Sequence, residues 1–497
     1  IDRFFANAGY DLGGWGLHAV AGHSILKVDD HFDGDESPAP AAFGDSEDET
    51  PQTTAELRLS SPDLAGLLGL GSVGGFGLGR SEFTVGFFYQ RRTIQDSIFG
   101  IHVHPDVIGR WVALNMLFPG YNGESIPGIP GNTSVGDTED TTLAYDQSSN
   151  SIAGFGQVEW YPIDRWTLTY GMRFTNESKD ADWERTFDGP SPVLQAGAGF
   201  EAFAKHLSRS ESAFTPKVAL KFDWTDDVNL YATWAKGFRA GGFNEFASNE
   251  ATAAPFDAET TSAWEVGTKL EVLDGRAGVN FALYRQDVSD LQVLILEPGS
   301  FNVGTVRNAA EARAQGVEME ATLLPTDWLT VQDALAFTHS EYLSFPNGPC
   351  ATDRPNTDGD ANPGCDLAGE PLAWTPTWKN ALTIAALWPV GSIPGLRSIA
   401  LPLGEVGLGG GITVEWQDVQ SLNPTNDPRT RQPSFFRLHG SFGLEGIERG
   451  WSLRVVGTNL MDENVAGRVN EVAGILGNYF QFTQERRLVF GELRWQF

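Results

Sequence analysis

The chain has 497 residues, with 34 Lys plus Arg against 65 Asp plus Glu, a formal charge of -31, 57 Gly and two Cys. That charge excludes duplex nucleic acid as the ordinary partner, because phosphate binding needs a basic face. Two cysteines exclude a disulfide-dense scaffold and a four-cysteine zinc module. No apolar run is long enough for a transmembrane helix, but a membrane β-strand shows only as about ten residues of alternating hydrophobicity. The opening Ile1-Asp2-Arg3-Phe4-Phe5 has neither an initiator Met nor a signal peptide, and the chain reads as a fragment.

Period-two alternation predicts seventeen strands, at about 3–12, 15–25, 51–61, 80–94, 141–161, 165–176, 210–224, 228–239, 257–272, 276–292, 305–324, 328–344, 376–389, 406–420, 434–445, 451–463 and 486–497. In the sixth, Trp166, Leu168, Tyr170, Met172 and Phe174 share one face while Thr167, Thr169, Gly171, Arg173 and Thr175 share the other. The alternation recurs in Phe436, Leu438, Gly440, Phe442 and Leu444, and again in Val489, Gly491, Leu493, Trp495 and Phe497. Short turns at Gly13-Gly14, Pro162-Ile163-Asp164, Thr225-Asp226-Asp227, Leu273-Asp274-Gly275 and Pro325-Thr326-Asp327 have hairpin chemistry. They alternate with long loops at about 26–51, 95–141, 176–210, 240–256, 344–375 and 464–485, as in an outer-membrane barrel with short periplasmic turns and long external loops. The Gly-rich stretch Pro62 to Gly79 departs from this rule, being long on the short-turn side. Tryptophans near turns (Trp15, Trp160, Trp166, Trp224, Trp328, Trp451, Trp495) sit where interfacial girdles belong.

The fold class is therefore all-β, a transmembrane antiparallel β-barrel. Such barrels close with an even strand number, so about seventeen strands imply missing N-terminal ones; a barrel of about twenty-two, the class with a plugged lumen, needs roughly five more. The first and last strands are expected to run the same way, to remain unpaired with each other and to leave a gap in the wall.

Several stretches together resemble the barrel of TonB-dependent outer-membrane receptors. They are Ala55-Glu56-Leu57-Arg58-Leu59-Ser60-Ser61-Pro62, Gly154-Phe155-Gly156-Gln157-Val158, the run from Asn229 to Asn244, Trp264-Glu265-Val266-Gly267-Thr268-Lys269, Asn308-Ala309-Ala310 with Gly316-Val317-Glu318-Met319-Glu320, and Asn459-Leu460-Met461-Asp462. The resemblance implies that residues 1–497 are an incomplete barrel, the C-terminal part of a twenty-two-stranded one, whose plug domain and first strands are absent. It implies a cell outer-membrane location, energy-coupled uptake of a ferric siderophore or similar bulky chelate, and coupling to the TonB system through the missing plug. Cobalamin, oligosaccharides and plant-derived aromatic compounds are alternative cargoes. Leu493, Trp495 and Phe497 look like the terminal signal by which such barrels are recognised for assembly.

Candidate site residues lie in the long loops. His102 and His104 share a strand face and can contact a ligand, or simply form a polar pair at the loop base; Trp111 and Tyr121 follow in the same loop. No metal site or cofactor is expected from so scattered a histidine set. Arg239 can meet an anionic chelate, with Phe243 and Asn244 beside it and glycines that allow a tight turn. The competing reading has Arg239 paired with a wall carboxylate and Asn244 fixing a turn. The Phe-Arg-Ala-Pro pattern associated with haem receptors is missing, since Gly241 follows Ala240. Asp29 to Glu49 is an acidic run read as a solvated loop that can share divalent ions with lipopolysaccharide, outer-membrane lipid being the expected surround. Cys350 and Cys365, both in one external loop, read as a disulfide. No nucleophile–base constellation is evident, so the chain reads as no enzyme. A passive porin and an outer-membrane barrel enzyme, such as a surface protease or lipase, are the rival classes.

Overall fold

The computed structural model describes residues 1–33, 42–61, 80–103, 139–189, 194–195, 199–296, 304–351, 364–392, 405–447, 450–471 and 479–496. In chain order the strands are β1 (Asp2–Asp11), β2 (Gly16–Asp33), β3 (Ala42–Ser61), β4 (Arg80–Val103), β5 (Glu139–Tyr161), β6 (Trp166–Phe187), β7 (Phe203–Asp223) and β8 (Val228–Arg239). A short hairpin of β9 (Gly242–Phe243) and β10 (Pro255–Phe256) precedes β11 (Glu259–Val272), β12 (Ala277–Leu296), β13 (Gly304–Thr326), β14 (Leu329–Ser344), β15 (Trp378–Pro389) and β16 (Val406–Gln417). After the hairpin of β17 (Gln420–Ser421) and β18 (Arg431–Gln432) come β19 (Phe435–Gly446) and β20 (Trp451–Thr458). Last are the hairpin of β21 (Ala466–Glu471) with β22 (Tyr479–Thr483), and β23 (Leu488–Trp495).

Setting the three small hairpins aside, the strands form one seventeen-stranded sheet in which each pairs antiparallel with the next. Among the described residues β1 pairs only with β2 and β23 only with β20, and every residue of both strands is exposed. The expected strand number and the expected unpaired ends are both present.

The short-turn end is built as its residues dictate. Gly13 and Gly14 have positive φ, Leu12 N donates to Trp15 O at 2.8 Å, and Leu273, Asp274 and Gly275 are all left-handed. Aromatic side chains collect there: Trp166 stacks on Phe222 at 4.5 Å, Trp328 meets Trp388 at 4.4 Å, and Trp15 meets Phe83 edge-on at 5.5 Å. Above them Phe87, Phe174, Phe214, Trp264, Ile412 and Phe442 are each at least half exposed. A continuous belt of exposed large apolar side chains is stable only against lipid.

At the opposite end the strands run well past this belt, which the sequence reading did not anticipate. The segments read as the loops 26–51, 95–141 and 176–210 contribute the outer arms of β2, β3, β4, β6 and β7, so β4 reaches Val103, β6 reaches Phe187 and β7 begins at Phe203, while β5 follows the span expected for it. The acidic run from Asp29 to Glu49 is likewise partly strand, Asp29 facing Glu47 and Val28 facing Asp48 across the β2–β3 ladder. These arms looked like loop because their solvent face is charged. Their apolar residues sit on the other face: Ala181 and Trp183 in β6, and Leu143 and Tyr145 in β5, are almost fully buried. The apolar set has changed sides of the strand without a register break, since the β5–β6 and β6–β7 ladders are continuous.

Candidate functional site

The rim core of Tyr145, Trp183, Ile94 and Leu143 is closed by the segment that follows β8. Phe243 inserts edge-on against Trp183 at 5.6 Å, with Ala247 and Ala253 behind it. Burying such a ring contributes about 1.5–3 kcal/mol. Inward-facing polar side chains of β6 and β7 then take up the segment's backbone groups. Lys179 Nζ donates to Gly241 O at 2.7 Å, Glu211 accepts from Gly241 N at 2.8 Å, and Trp183 Nε1 donates to Asn244 O at 3.0 Å. Arg209 donates to Phe256 O and pairs with Glu211.

Further out, Arg185 is buried, donating to Ala247 O at 2.9 Å and Thr141 Oγ1 at 3.1 Å while its guanidinium lies 4.7 Å from the Phe200 ring centre. Burial pushes its pKa down to about 10. Glu245, beside this core, has its carboxyl raised to about 7 by burial and by the charge of Asp48, with Arg92 opposing.

The glycines of this segment are needed for close approach rather than for a left-handed turn. Neither Gly241 nor Gly242 has a positive φ. A Cβ on Gly241 would lie 2.3 Å from Phe256 O, and one on Gly242 would lie 2.7 Å from the Phe256 ring. The tight-turn reading of these glycines is corrected accordingly.

Asn244 is buried and bridges strands that are not neighbours. Its Nδ2 donates to Val306 O at 3.3 Å and its Oδ1 accepts from Val306 N, tying the loop to β13, while Trp183 holds its carbonyl from β6. These contacts place Phe243 and Asn244 in the packing of the rim. Arg239 ends β8, is exposed, and faces Glu259 across the β8–β11 ladder. It lies on the face opposite Trp234 and Trp264, and therefore toward the lumen.

His102 is half-buried on the face opposite the buried Ile101 and Val103. Its Nδ1 lies 2.7 Å from Asp140 Oδ1 and its Nε2 3.0 Å from Asp45 Oδ2, and the ring stacks on Phe43 at 4.8 Å. Asp45 also bonds His31, which raises the His31 pKa and lowers that of Asp45. The chain His31–Asp45–His102–Asp140 thus crosses β2 to β5. His104, Trp111, Tyr121 and Phe497 lie outside the described residues. Among the described residues no group of three or more His, Cys, Asp or Glu is placed to hold a metal.

Cys350 and Cys365 are joined, with Cα atoms 5.3 Å apart. Gly348 and Cys365 exchange two backbone hydrogen bonds of 2.9 Å, and Leu367 packs with Phe345, Tyr342, Val293 and Ile295 beneath the bridge. At the chain's other end Leu493 and Trp495 stand exposed on β23, Trp495 opposite Trp451. The residues missed in the sequence are Lys179, Trp183, Arg185, Arg209 and Glu211. Their signal was the alternation Lys179, Ala181, Trp183, Arg185, which continues the strand past Asn176 with its apolar members on the other face.

The sequence matches the family described as TonB dependent receptor-like, beta-barrel, over residues 2–460. The chain belongs to the TonB-dependent receptor family. It is similar to the metal-pseudopaline receptor CntO of Pseudomonas aeruginosa, 28% identical over 191 residues, covering 38% of this chain and 24% of that receptor. The pesticin receptor of Yersinia enterocolitica is 25% identical over 230 residues, covering 46% and 29% respectively. In fold, the ferric yersiniabactin uptake receptor FyuA from Yersinia pestis superposes with a TM-score of 0.67 at 15% identity, covering 98% of this chain and 60% of that one. This TonB-dependent receptor chain therefore spans less than two thirds of the length of the relatives it matches. Membership places it in the outer membrane, and its belt of exposed apolar side chains faces lipid.

Proposed function

We propose that the chain is the wall of an outer-membrane importer that takes up a ferric siderophore or a similar bulky metal chelate, energised through TonB by a plug domain outside residues 1–497. The observation that supports this most strongly is the family match over nearly the whole wall. Relatives named for metal chelates favour a chelate over the other cargoes of the family. The rim agrees with such a role: the segment after β8 is folded inward and held by wall side chains, narrowing the mouth and leaving Arg239 exposed beside it. Arg239 is the side chain assigned to meet an anionic chelate, and Phe243 and Asn244 hold the loop that follows it. The disulfide stiffens a neighbouring external loop.

The reading is tested by uptake of radiolabelled ferric hydroxamate, catecholate and carboxylate chelates into cells expressing the full-length receptor, with and without TonB. Accumulation of one class that disappears without TonB is expected. Equal accumulation without TonB, together with steady conductance in planar bilayers, would instead identify a passive pore. Arg239→Ala should weaken capture of the transported chelate severalfold at unchanged surface abundance.

A further inference from the structure

The lipid-facing wall carries a groove with a floor of bare backbone. Gly154 and Gly156 in β5 lie on the same face as the exposed Ile152, Val158 and Trp160. They open a groove of about 520 Å³, walled by Val85 of β4 on one side and by Met172, Phe174 and Phe214 of β6 and β7 on the other, with Val158 at its lower end. A Cβ built on Gly154 meets no atom within 4 Å, so this glycine is not required by packing of the protein against itself.

Directly above the groove, on the loop side, one row of same-face residues crosses six strands: His23, Thr53, Arg91, Asn150, Ser178 and Ser210. Every member carries a hydrogen-bond donor and none is a carboxylate, although the whole chain bears a charge of -31. Asp180, two residues beyond Ser178, is the next carboxylate on that face of β6. Arg91 is exposed and stands four residues above Phe87, the cross-strand neighbour of Gly154, a distance of about 13 Å along the strand. A phosphate at Arg91 therefore places a lipid chain down the groove.

We propose that this face is a binding site for one molecule of lipid A, the phosphorylated glycolipid of the outer leaflet. One acyl chain lies over Gly154 and Gly156, and the phosphate is held by Arg91 with the flanking Thr53 and Asn150. Placement on the outer leaflet follows from the donor row lying toward the loop end. The assignment rests on membership of an outer-membrane family and is independent of the cargo.

The test is native mass spectrometry of the full-length receptor, delipidated and then titrated with bisphosphorylated lipid A, dephosphorylated lipid A or phosphatidylethanolamine. Wild type should retain one lipid A. Gly154→Leu, which fills open space, should reduce retention at least tenfold while heat-modifiable gel mobility shows an intact barrel. Arg91→Gln should reduce retention of the phosphorylated form threefold or more and leave the dephosphorylated form unchanged. Undiminished retention by Gly154→Leu, or equal retention of phosphatidylethanolamine, would overturn the site. Should the leucine variant fail to fold, the Arg91→Gln comparison decides the question by itself.

Discussion

The lower and upper halves of β4 to β7 are the same strands in two solvents, and their apolar residues point in opposite directions. On β6, Tyr170, Met172 and Phe174 are turned outward and exposed, while from seven residues beyond Phe174 on the same ladder Ala181 and Trp183 are turned inward and buried. In lipid the outer face must be apolar and the lumen face polar; above the bilayer the outer face meets water, and the only dry place left is the inside, under the folded loop. The difference teaches that in this wall the surroundings, rather than strand geometry, decide which face is core.

The strongest test of the contrast is at its upper end. Trp183→Ala should cost about 3–5 kcal/mol of local stability by opening a cavity in the rim core. Hydrogen exchange of residues 240–256 should then accelerate while the membrane band stays protected. Equal loss of protection in both halves would show that they are one cooperative unit.

At the lower end Met172→Arg should cost about 2–4 kcal/mol because it puts a charge into lipid, whereas Thr169→Arg, toward the lumen, should be nearly neutral. Refolding equilibria into lipid vesicles measure both, and matching effects would break the inside–outside assignment. Reducing the Cys350–Cys365 bridge, with its separation of 15 residues, should release roughly 3 kcal/mol of loop-closure constraint, read as faster proteolysis confined to that loop.

The smallest effect concerns Glu245. Its folded-state pKa is raised from 4.5 to about 7, so burial penalises the ionised form. Docking of the 240–256 loop is thus fully favoured below the ordinary carboxylate value and weakens as pH rises through about 7. Glu245→Gln should abolish that decline in loop protection, which runs from the ordinary carboxylate value to about pH 7, with little change at about pH 4.

Strand number, antiparallel order, turn positions and the outward apolar set of the membrane band were legible in the residues themselves, because a period of two is a local property and lipid demands it on one fixed face. The cysteine pair was legible for a similar reason, lying within one loop. Only the tertiary structure decided the rest. It extended β2, β3, β4, β6 and β7 beyond the bilayer and turned Phe243 and Asn244 into packing of the rim. It set Gly241 and Gly242 against Phe256 and gave His102 two aspartates from other strands. Each of these depends on partners ten or more residues away, and a non-local contact leaves no periodicity in the sequence for a reader to find.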